Sequence, residues 1–283
     1  MEKKYRLWDA HVHLFPERLF RAIWGWFEEN GVPMPYRGRD CGELTGHLAN
    51  MGVERAFLLV YAHKPDVSAE MNSWAARFCQ NNPIYLPFGC VHPGDRSLGG
   101  VMEDALDRHG LLGFKIHYMV CGMRADDPGF APVYRALESR GKILVAHAGT
   151  APLPKPWLGL EIFERVLDSH PGMLVQLAHL GHFELDRVAG LMRKYPNLYL
   201  DTAWAMGNSV FQVDLGAVRD LIMEFPERIL YGSDFPIIME DPRLTVEKII
   251  NLSLPGNVTE AVFWGNAERM VAHLLKGDMF KWK

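Results

Sequence analysis

The stretch Arg6–Leu14, RLWDAHVHL, is a short apolar run that ends in two histidines. Seven further runs of the same kind follow it, each rich in β-favouring residues and each closed by polar residues. They are Arg55–Tyr61, Ile84–His92, Leu111–His117, Lys142–Gly149, Met173–Gly181, Leu198–Trp204 and Ile229–Pro236. Near-continuous apolar strands are typical of a parallel sheet that is buried on both faces.

Amphipathic segments that are predicted to be helical alternate with these eight runs. They are Asp40–Met51, Ser68–Asn81, Leu98–His109, Phe130–Arg140, Leu160–Ser169, Glu184–Tyr195, Asp214–Phe225 and Thr259–Leu275. Alternating strands and helices predict an α/β protein with a single (β/α)8, or TIM, barrel, and a doubly wound open sheet is the alternative. No Ser/Gly linker interrupts the pattern, so residues 1–283 are predicted to form one domain. The segment 15–39 is too long for an ordinary βα turn and is predicted to be an active-site lid or loop insertion.

The composition of the chain argues against several classes of protein. The chain has 283 residues, of which 48% are hydrophobic and 23% charged, as is usual for a globular protein. A net charge of −4 provides no basic surface for nucleic acid, and the longest apolar run, Ala56–Ala62, is far shorter than the ~20 residues of a membrane helix. The four cysteines are scattered, and the start of the chain lacks the apolar core of a signal peptide. We therefore expect a cytoplasmic protein without a nucleic-acid or membrane partner.

Potential metal ligands recur at the carboxyl ends of five of the eight runs. They are His11 and His13, Lys115 and His117, His147, His179 with His182 nearby, and Asp234. Residues i and i+2 of a strand point to the same side, so His11 and His13 can bind one ion. Each residue alone is also compatible with a purely structural role, but buried polar groups without partners are costly, and parallel barrels carry their active sites at this end. Their recurrence predicts a common metal site.

An ordered series of motifs along the chain is similar to that of a known protein family. Signatures of serine hydrolases, nucleoside triphosphatases and nicotinamide enzymes are absent from the sequence. The motifs that are present are DAHVHL (9–14), GFKIH (113–117), AHAG (146–149), LAHLGH (177–182), PNLYLDTA (196–203), YGSDFP (231–236) and WGNAERMV (264–271). From Trp8 to Leu275 the chain resembles the amidohydrolase-related (amidohydrolase 2) branch of the amidohydrolase superfamily, which includes aminocarboxymuconate-semialdehyde decarboxylase.

The resemblance implies a role for each matching residue. The implied metal ligands are His11, His13, His147 and Asp234. His179 resembles the histidine that orients or deprotonates the attacking water in mononuclear members and that binds a second ion in binuclear ones. In binuclear members a carboxylated lysine bridges two ions, so Lys115 becomes a ligand only if the site is binuclear. One ion per chain is expected. His182 stands where the family commonly has glycine, which leaves its role open.

The donor set predicts the ion and the reaction. Imidazole and carboxylate suit a divalent ion, with zinc expected first and manganese or iron as alternatives. Zinc lowers the pKa of bound water to about 7, and Asp234 is expected to take a proton from this water and pass it to the leaving group. The main prediction is a metal-dependent hydrolase of a small-molecule amide, ester or lactone.

Other functions remain open at this point. The alternative with the same ligands is a metal-dependent non-oxidative decarboxylase of an aromatic or muconate-like acid. A TatD-type metal nuclease would carry glutamate where this chain has Lys115, and a metal-stabilised binding protein would need no catalysis. The candidate substrate-binding residues are His117, Arg37, Arg39 and Trp204. A small-molecule substrate is expected, and barrels of this kind often form homodimers.

Overall fold

A computed structural model shows eight parallel strands arranged as a barrel. The structure describes residues 5–150, 153–182, 184–208, 210 and 212–275. The strands are β1 (Leu7–Val12), β2 (Val53–Leu59), β3 (Tyr85–Cys90), β4 (Gly113–His117), β5 (Ile143–His147), β6 (Leu174–Leu177), β7 (Leu198–Asp201) and β8 (Ile229–Leu230). Each strand pairs with the next one in the chain. This order confirms the predicted TIM barrel and rules out the doubly wound sheet.

The barrel closes between β1 and the residues that follow β8. The backbone N–H of Asp234 donates to the carbonyl of His11 at 2.9 Å, and the N–H of His13 donates to the carbonyl of Phe235 at 2.8 Å. This seam is continued by a parallel bridge between Val12 and Phe235. Closure therefore brings Asp234 next to the two histidines of β1.

The helices lie mostly where the sequence predicts them. They are α1 (Glu17–Glu29), α2 (Cys41–Asn50), α3 (Ser68–Asn81), α4 (Leu98–Glu103), α5 (Tyr118–Cys121), α6 (Ala131–Ser139), α7 (Leu160–Ser169), α8 (Leu185–Lys194), α9 (Leu215–Glu224), α10 (Arg243–Asn251), α11 (Gly256–Glu260) and α12 (Asn266–Val271). In the described part of the chain, none of them is long and apolar enough to cross a bilayer.

Several segments differ from the sequence-based prediction, and helices α5 and α10 were not predicted. The segment 15–39 contains α1, whose buried face carries Phe20 and Trp24, and its role as a lid stays a prediction. The single helix predicted over Thr259–Leu275 is divided by a π-helical turn at Ala261–Gly265. There the carbonyl of Val262 accepts a hydrogen bond from the backbone N–H of Tyr231 at 2.8 Å. Contact with the end of β8 therefore accompanies the departure from regular helix.

The barrel interior is apolar at one end and polar at the other. The interior cluster contains Trp8, Ala10, Phe57, Leu59, Leu86, Phe88, Leu112, Ile143, Val145 and Leu230, together with Ala267, Met270 and Val271 of α12. Because α12 packs on residues at the starts of the strands, it covers the amino-terminal end. Farther along, Lys115 is in register with Val145, and Val145 with Gln176. Polar side chains therefore occupy the interior from the middle of the barrel to the carboxyl ends of the strands.

Candidate metal centre

Three potential ligands converge at the seam between β1 and β8. His11 Nε2 lies 3.2 Å from His13 Nε2, and Asp234 Oδ1 lies 3.3 Å from His11 Nε2 and 3.2 Å from His13 Nε2. All three residues are buried, and Asp234 is the most open of them at 8% exposure. Two strand residues and one residue across the seam therefore form a compact group, which we call the HHD group.

Hydrogen bonds on the far side of each ring determine which nitrogen is free to bind metal. His11 Nδ1 lies 2.9 Å from Asp201 Oδ2, and His13 Nδ1 lies 2.6 Å from the carbonyl oxygen of Leu59. A carboxylate and a carbonyl can only accept, so both Nδ1 atoms carry the proton. Both Nε2 atoms then direct lone pairs at each other and at the Asp234 carboxylate. A cation or a shared proton between these atoms is needed to remove the repulsion.

The spacing of the HHD group fits a divalent metal ion. Bonds of about 2.0–2.1 Å to a tetrahedral ion place neighbouring ligand atoms roughly 3.3–3.4 Å apart. The three distances of the HHD group are 3.2, 3.2 and 3.3 Å. Burial lowers the pKa of His11 well below its usual value. This keeps the imidazole neutral, the form that binds metal.

A buried lysine adjoins the HHD group. Lys115 Nζ lies 3.1 Å from His11 Nε2, and the residue is fully buried. Burial lowers the pKa of this amine to about 8, against the opposing influence of the carboxylates of Asp201 and Asp234. Lys115 therefore places an amine directly beside the His11 nitrogen that is free to bind metal.

Asp9 ties together the two segments that carry the HHD group. Its carboxylate accepts hydrogen bonds from the backbone N–H of His11 at 3.1 Å and from the N–H and hydroxyl of Ser233 at 3.0 and 2.5 Å. Burial raises the pKa of Asp9 to about 7 and also raises the pKa of Asp234. Asp9 therefore fixes the end of β1 against the turn that carries Asp234.

The other predicted histidines form a second group beside the first. His147 Nδ1 lies 3.1 Å from His179 Nε2, and the ring of His182 lies 4.2 Å from that of His147 between centroids. His117 stacks on His147 at 3.6 Å. His147 was predicted as a fourth ligand beside His11, His13 and Asp234. In the structure it lies with His179 and His182, and each of these three residues offers one ligand atom within 4.8 Å of the other two.

Left-handed backbone conformations mark the ends of β6, β7 and β8. The residues concerned are His179 (φ 60°), Leu180 (φ 50°), His182 (φ 57°), Trp204 (φ 55°) and Asp234 (φ 68°). Such conformations are unfavourable for residues other than glycine and persist where the surroundings impose them, often at functional sites. Five of them at one end of the barrel therefore point to the same place as the ligand groups.

The four candidate substrate-binding residues lie in different places. His117 stacks on His147, and Trp204 lies edge-on to His179 with ring centroids 6.3 Å apart. Arg37 is exposed and its guanidinium donates to Glu28 at 2.6 Å. Arg39 is also exposed. The structure brings His117 and Trp204 to the candidate ligand groups, and in the described part of the chain the two arginines have no recorded contact with either group.

Sequence reasoning missed two polar residues that organise the centre. Asp201 Oδ1 accepts hydrogen bonds from the backbone N–H of His179 at 2.9 Å and of Ala203 at 3.2 Å. Gln176 Nε2 donates to Asp201 Oδ2 at 2.6 Å and to the carbonyl of Ala10 at 2.9 Å. An acidic residue at the end of the seventh apolar run was the available signal for Asp201. Gln176, in the middle of β6, gave none.

The molecule is a parallel TIM barrel with a buried histidine–carboxylate group at the carboxyl ends of its strands. The chain belongs to the amidohydrolase family, whose sequence model matches residues 8–272. No curated protein sequence matches it.

Solved structures with the same fold align with nearly the whole chain. An uncharacterized TIM-barrel protein from Bordetella bronchiseptica is 19% identical, with 95% of this chain and 99% of that chain covered and a TM-score of 0.76. The 5-carboxyvanillate decarboxylase LigW from Sphingomonas paucimobilis is 19% identical, with 94% and 98% covered and a TM-score of 0.71. A dihydroxybenzoic acid decarboxylase from Polaromonas sp. JS666 with bound manganese is 15% identical, with 98% and 99% covered and a TM-score of 0.72.

These comparisons correct the predicted reaction. Hydrolysis of an amide, ester or lactone was the main expectation, but the similar structures named for a reaction include decarboxylases of 5-carboxyvanillate, dihydroxybenzoic acid and 2,6-dihydroxybenzoate. The comparisons also give zinc no specific support. The reason for the error is chemical: a histidine–carboxylate metal group serves hydrolysis and decarboxylation alike, so the ligand motifs could not separate the two reactions.

Proposed function

We propose that this protein is a manganese-dependent, non-oxidative decarboxylase of a hydroxylated aromatic carboxylic acid. The observation that carries the proposal is the buried HHD group at the carboxyl end of a barrel that matches decarboxylases over at least 94% of its length. One of these decarboxylases holds manganese. Mixed nitrogen and carboxylate donors suit manganese as well as zinc.

In this proposal His11, His13 and Asp234 hold the ion. The chemistry that a divalent ion supplies in such a site is positive charge for the carboxylate and phenolic oxygens of the substrate. Asp201 and the Leu59 carbonyl keep the two imidazoles in the tautomer that binds metal. The ligand role of His147 and the proton-handling role of His179 stay predictions.

Lys115 binds the substrate from the inner side of the site. Its Nζ atom, 3.1 Å from His11 Nε2, can donate to an oxygen of an acid that enters beside the HHD group. A buried cation is stabilised by an anionic partner, and the same contact orients the acid. An acidic substrate is therefore a better match for this site than a neutral one.

Asp234 is the proton donor in the proposed reaction. Its carboxyl proton goes to the ring carbon that bears the substrate carboxylate, the electron pair of the carbon–carbon bond then stays on that carbon, and carbon dioxide leaves. Water returns the proton to Asp234, so the net change is a carboxylate and one proton converted into an arene C–H and CO2. Asp234 is suited to this step because it is the most open residue of the HHD group.

The proposal is tested by the release of carbon dioxide. Protein loaded with manganese is incubated with 2,6-dihydroxybenzoate and with 5-carboxyvanillate, and CO2 and the decarboxylated phenol are quantified together. We expect equimolar CO2 and phenol from at least one of these acids and none after the manganese is removed. Cleavage of esters or amides by the same preparation, with no CO2 from either acid, would contradict the proposal.

The proton-donor role predicts the effect of Asp234→Asn. The amide retains an oxygen that can bind metal but has no carboxyl proton to transfer, so we expect decarboxylation to slow by roughly 10²- to 10⁴-fold. The rate and the manganese content are measured on the same sample. Asp220→Asn is the matched control, because that side chain is 83% exposed. A rate that falls only in proportion to lost manganese would show that Asp234 acts as a metal ligand alone and is not the proton donor.

A further inference from the structure

Tyr61 forms part of the wall beside the HHD group. The residue follows the end of β2, and its ring lies edge-on to that of His13 with centroids 5.4 Å apart. The ring of His117 lies 5.3 Å away, also at a steep angle. Tyr61 is partly exposed, whereas His13 is buried. Tyr61 therefore borders a ligand of the HHD group and is still accessible from outside the protein.

The hydroxyl group of Tyr61 is an unused hydrogen-bond donor. Within the described part of the chain its contacts are made by the ring, and the hydroxyl group has no hydrogen-bond partner there. Burial, and to a lesser degree the negative charge of Asp234, raise the pKa of Tyr61. The phenol of a tyrosine is in any case protonated at neutral pH and donates one hydrogen bond. An oxygen atom of a bound molecule can therefore accept from this hydroxyl group.

Aromatic contacts hold the Tyr61 side chain in place. The ring of Phe15 lies edge-on to that of Tyr61 with centroids 5.1 Å apart, and Phe20 of α1 lies edge-on to Phe15 at 5.5 Å. Both phenylalanines are buried. Because edge-on packing of this kind favours one ring orientation, the hydroxyl group is positioned before a ligand binds, which reduces the cost of binding. The segment 15–39 thus supports a wall of the site through α1.

The HHD group has a hydrogen-bond donor on each of two sides. Lys115 Nζ lies 3.1 Å from His11 Nε2, whereas Tyr61 adjoins His13. A molecule that carries an anionic group and a neighbouring hydroxyl group can contact both donors at once. The anionic group is best matched by the amine of Lys115, because hydrogen bonds between charged groups are the stronger ones. The hydroxyl oxygen of the same molecule is then left for Tyr61.

We propose that Tyr61 selects aromatic acids that carry a hydroxyl group next to the carboxylate. This inference rests on the proposed function, because it takes the substrate to be an aromatic acid bound beside the HHD group. The hydroxyl group of Tyr61 donates to the phenolic oxygen of the substrate, and Lys115 donates to the carboxylate. An acid without this phenolic oxygen displaces water from Tyr61 and leaves the donor unpaired, which lowers its affinity.

The test compares two anions that differ only in the hydroxyl group. They are 2-hydroxybenzenesulfonate and benzenesulfonate, in which a sulfonate replaces the carboxylate, so that neither can release CO2. Their dissociation constants for the full-length, manganese-loaded protein are measured by titration calorimetry. We expect the hydroxylated anion to bind roughly 3- to 10-fold more tightly. In Tyr61→Phe we expect this preference to disappear, while the affinity for benzenesulfonate stays the same.

Two further variants serve as controls. Tyr195→Phe removes a hydroxyl group that donates to Asp168 at 2.7 Å. Tyr195 precedes β7 and so lies at the amino-terminal end of the strands, and this variant is expected to keep both affinities. Lys115→Met removes the amine and is expected to weaken the binding of both anions while the preference for the hydroxylated one remains. The manganese content is measured in each variant, so that loss of the ion is not mistaken for loss of a donor.

Several outcomes would overturn the inference. Equal weakening of both anions in Tyr61→Phe would assign this residue a packing role alone. Binding of neither anion, no preference in the unaltered protein, or loss of the preference in either control variant would also contradict it. Release of CO2 without a preference that depends on Tyr61 would overturn this inference alone. A preference that depends on Tyr61 without release of CO2 would overturn the proposed decarboxylation alone.

Discussion

Asp201 is the residue that connects the two ligand groups. Its Oδ2 atom accepts from His11 Nδ1 in the HHD group, and its Oδ1 atom accepts from the backbone N–H of His179 in the second histidine group. Gln176 supplies a further hydrogen bond to Oδ2. One buried carboxylate at the end of β7 thereby orients a ring on β1 and a turn after β6, and such partners of metal ligands strongly influence metal affinity.

Asp201→Asn is predicted to weaken metal binding. In the variant the amide NH2 group replaces Oδ2, and its N–H faces the N–H of His11. The histidine relieves this clash by moving its proton to Nε2, which can then no longer bind metal. We expect manganese affinity to fall roughly 10- to 100-fold, as measured by competition with a chelator. Asp220→Asn is again the control, and an unchanged affinity in Asp201→Asn would disprove the tautomer argument.

At the scale of elements, the strands approach one another closely enough to restrict their residues. β4 begins at Gly113, which is in register with Ile143 at the start of β5. A Cβ atom at position 113 would overlap the backbone carbonyl of Ile143. Because the obstacle is backbone, it cannot rotate away. The direction of β4, and with it the placement of Lys115 and His117, therefore depends on this glycine.

A pair of glycine substitutions tests this close approach. Gly113→Ala is predicted to lower the free energy of unfolding by more than about 3 kcal/mol, because a strand must shift within a packed barrel. Gly190→Ala is the matched control: Gly190 lies in α8 and a Cβ atom there meets nothing within 4 Å. Alanine in a helix interior is expected to stabilise by about 0.5–1 kcal/mol. Equal effects of the two substitutions in urea unfolding would contradict the prediction.

At the scale of the whole molecule, the HHD group joins the two ends of the barrel. His11 and His13 belong to the first strand, and Asp234 follows the last. The same seam is held by backbone hydrogen bonds, including the bond from the N–H of Ala10 to the carbonyl of Tyr231 at 2.8 Å. A metal ion held by residues on both sides of the seam binds the closed barrel and not the unfolded chain, so it stabilises closure.

Manganese is therefore predicted to stabilise the seam. At a free concentration 100 times the dissociation constant, it is expected to add about 2.7 kcal/mol to the free energy of unfolding. The thermal midpoint should rise with manganese and fall with a chelator, and hydrogen exchange at the amides of Ala10, His13 and Asp234 should slow when the ion is bound. Slowing that is equal in all strands, or absent at these three amides, would contradict a seam-specific effect.

The eightfold alternation of strand and helix could be predicted from the sequence. Continuous apolar runs identify buried parallel strands, and two predicted helices, Ser68–Asn81 and Leu160–Ser169, have the same bounds in the structure. The HxH pair and the ordered motifs likewise identified the family, because these signals lie within short stretches of chain. Within the segment 15–39, the spacing of Phe20 and Trp24 on one face was an available helical signal for α1.

The grouping of the candidate ligands could be read from the three-dimensional structure alone. It placed Asp234 with His11 and His13 across the seam, grouped His147 with His179 and His182, and set Lys115 beside His11. These contacts join residues from different strands, and their distances depend on barrel closure, on register and on the left-handed turns after β6 and β8. A pattern read along the chain records which residues end each strand, but the separation between strand ends is a property of the closed barrel.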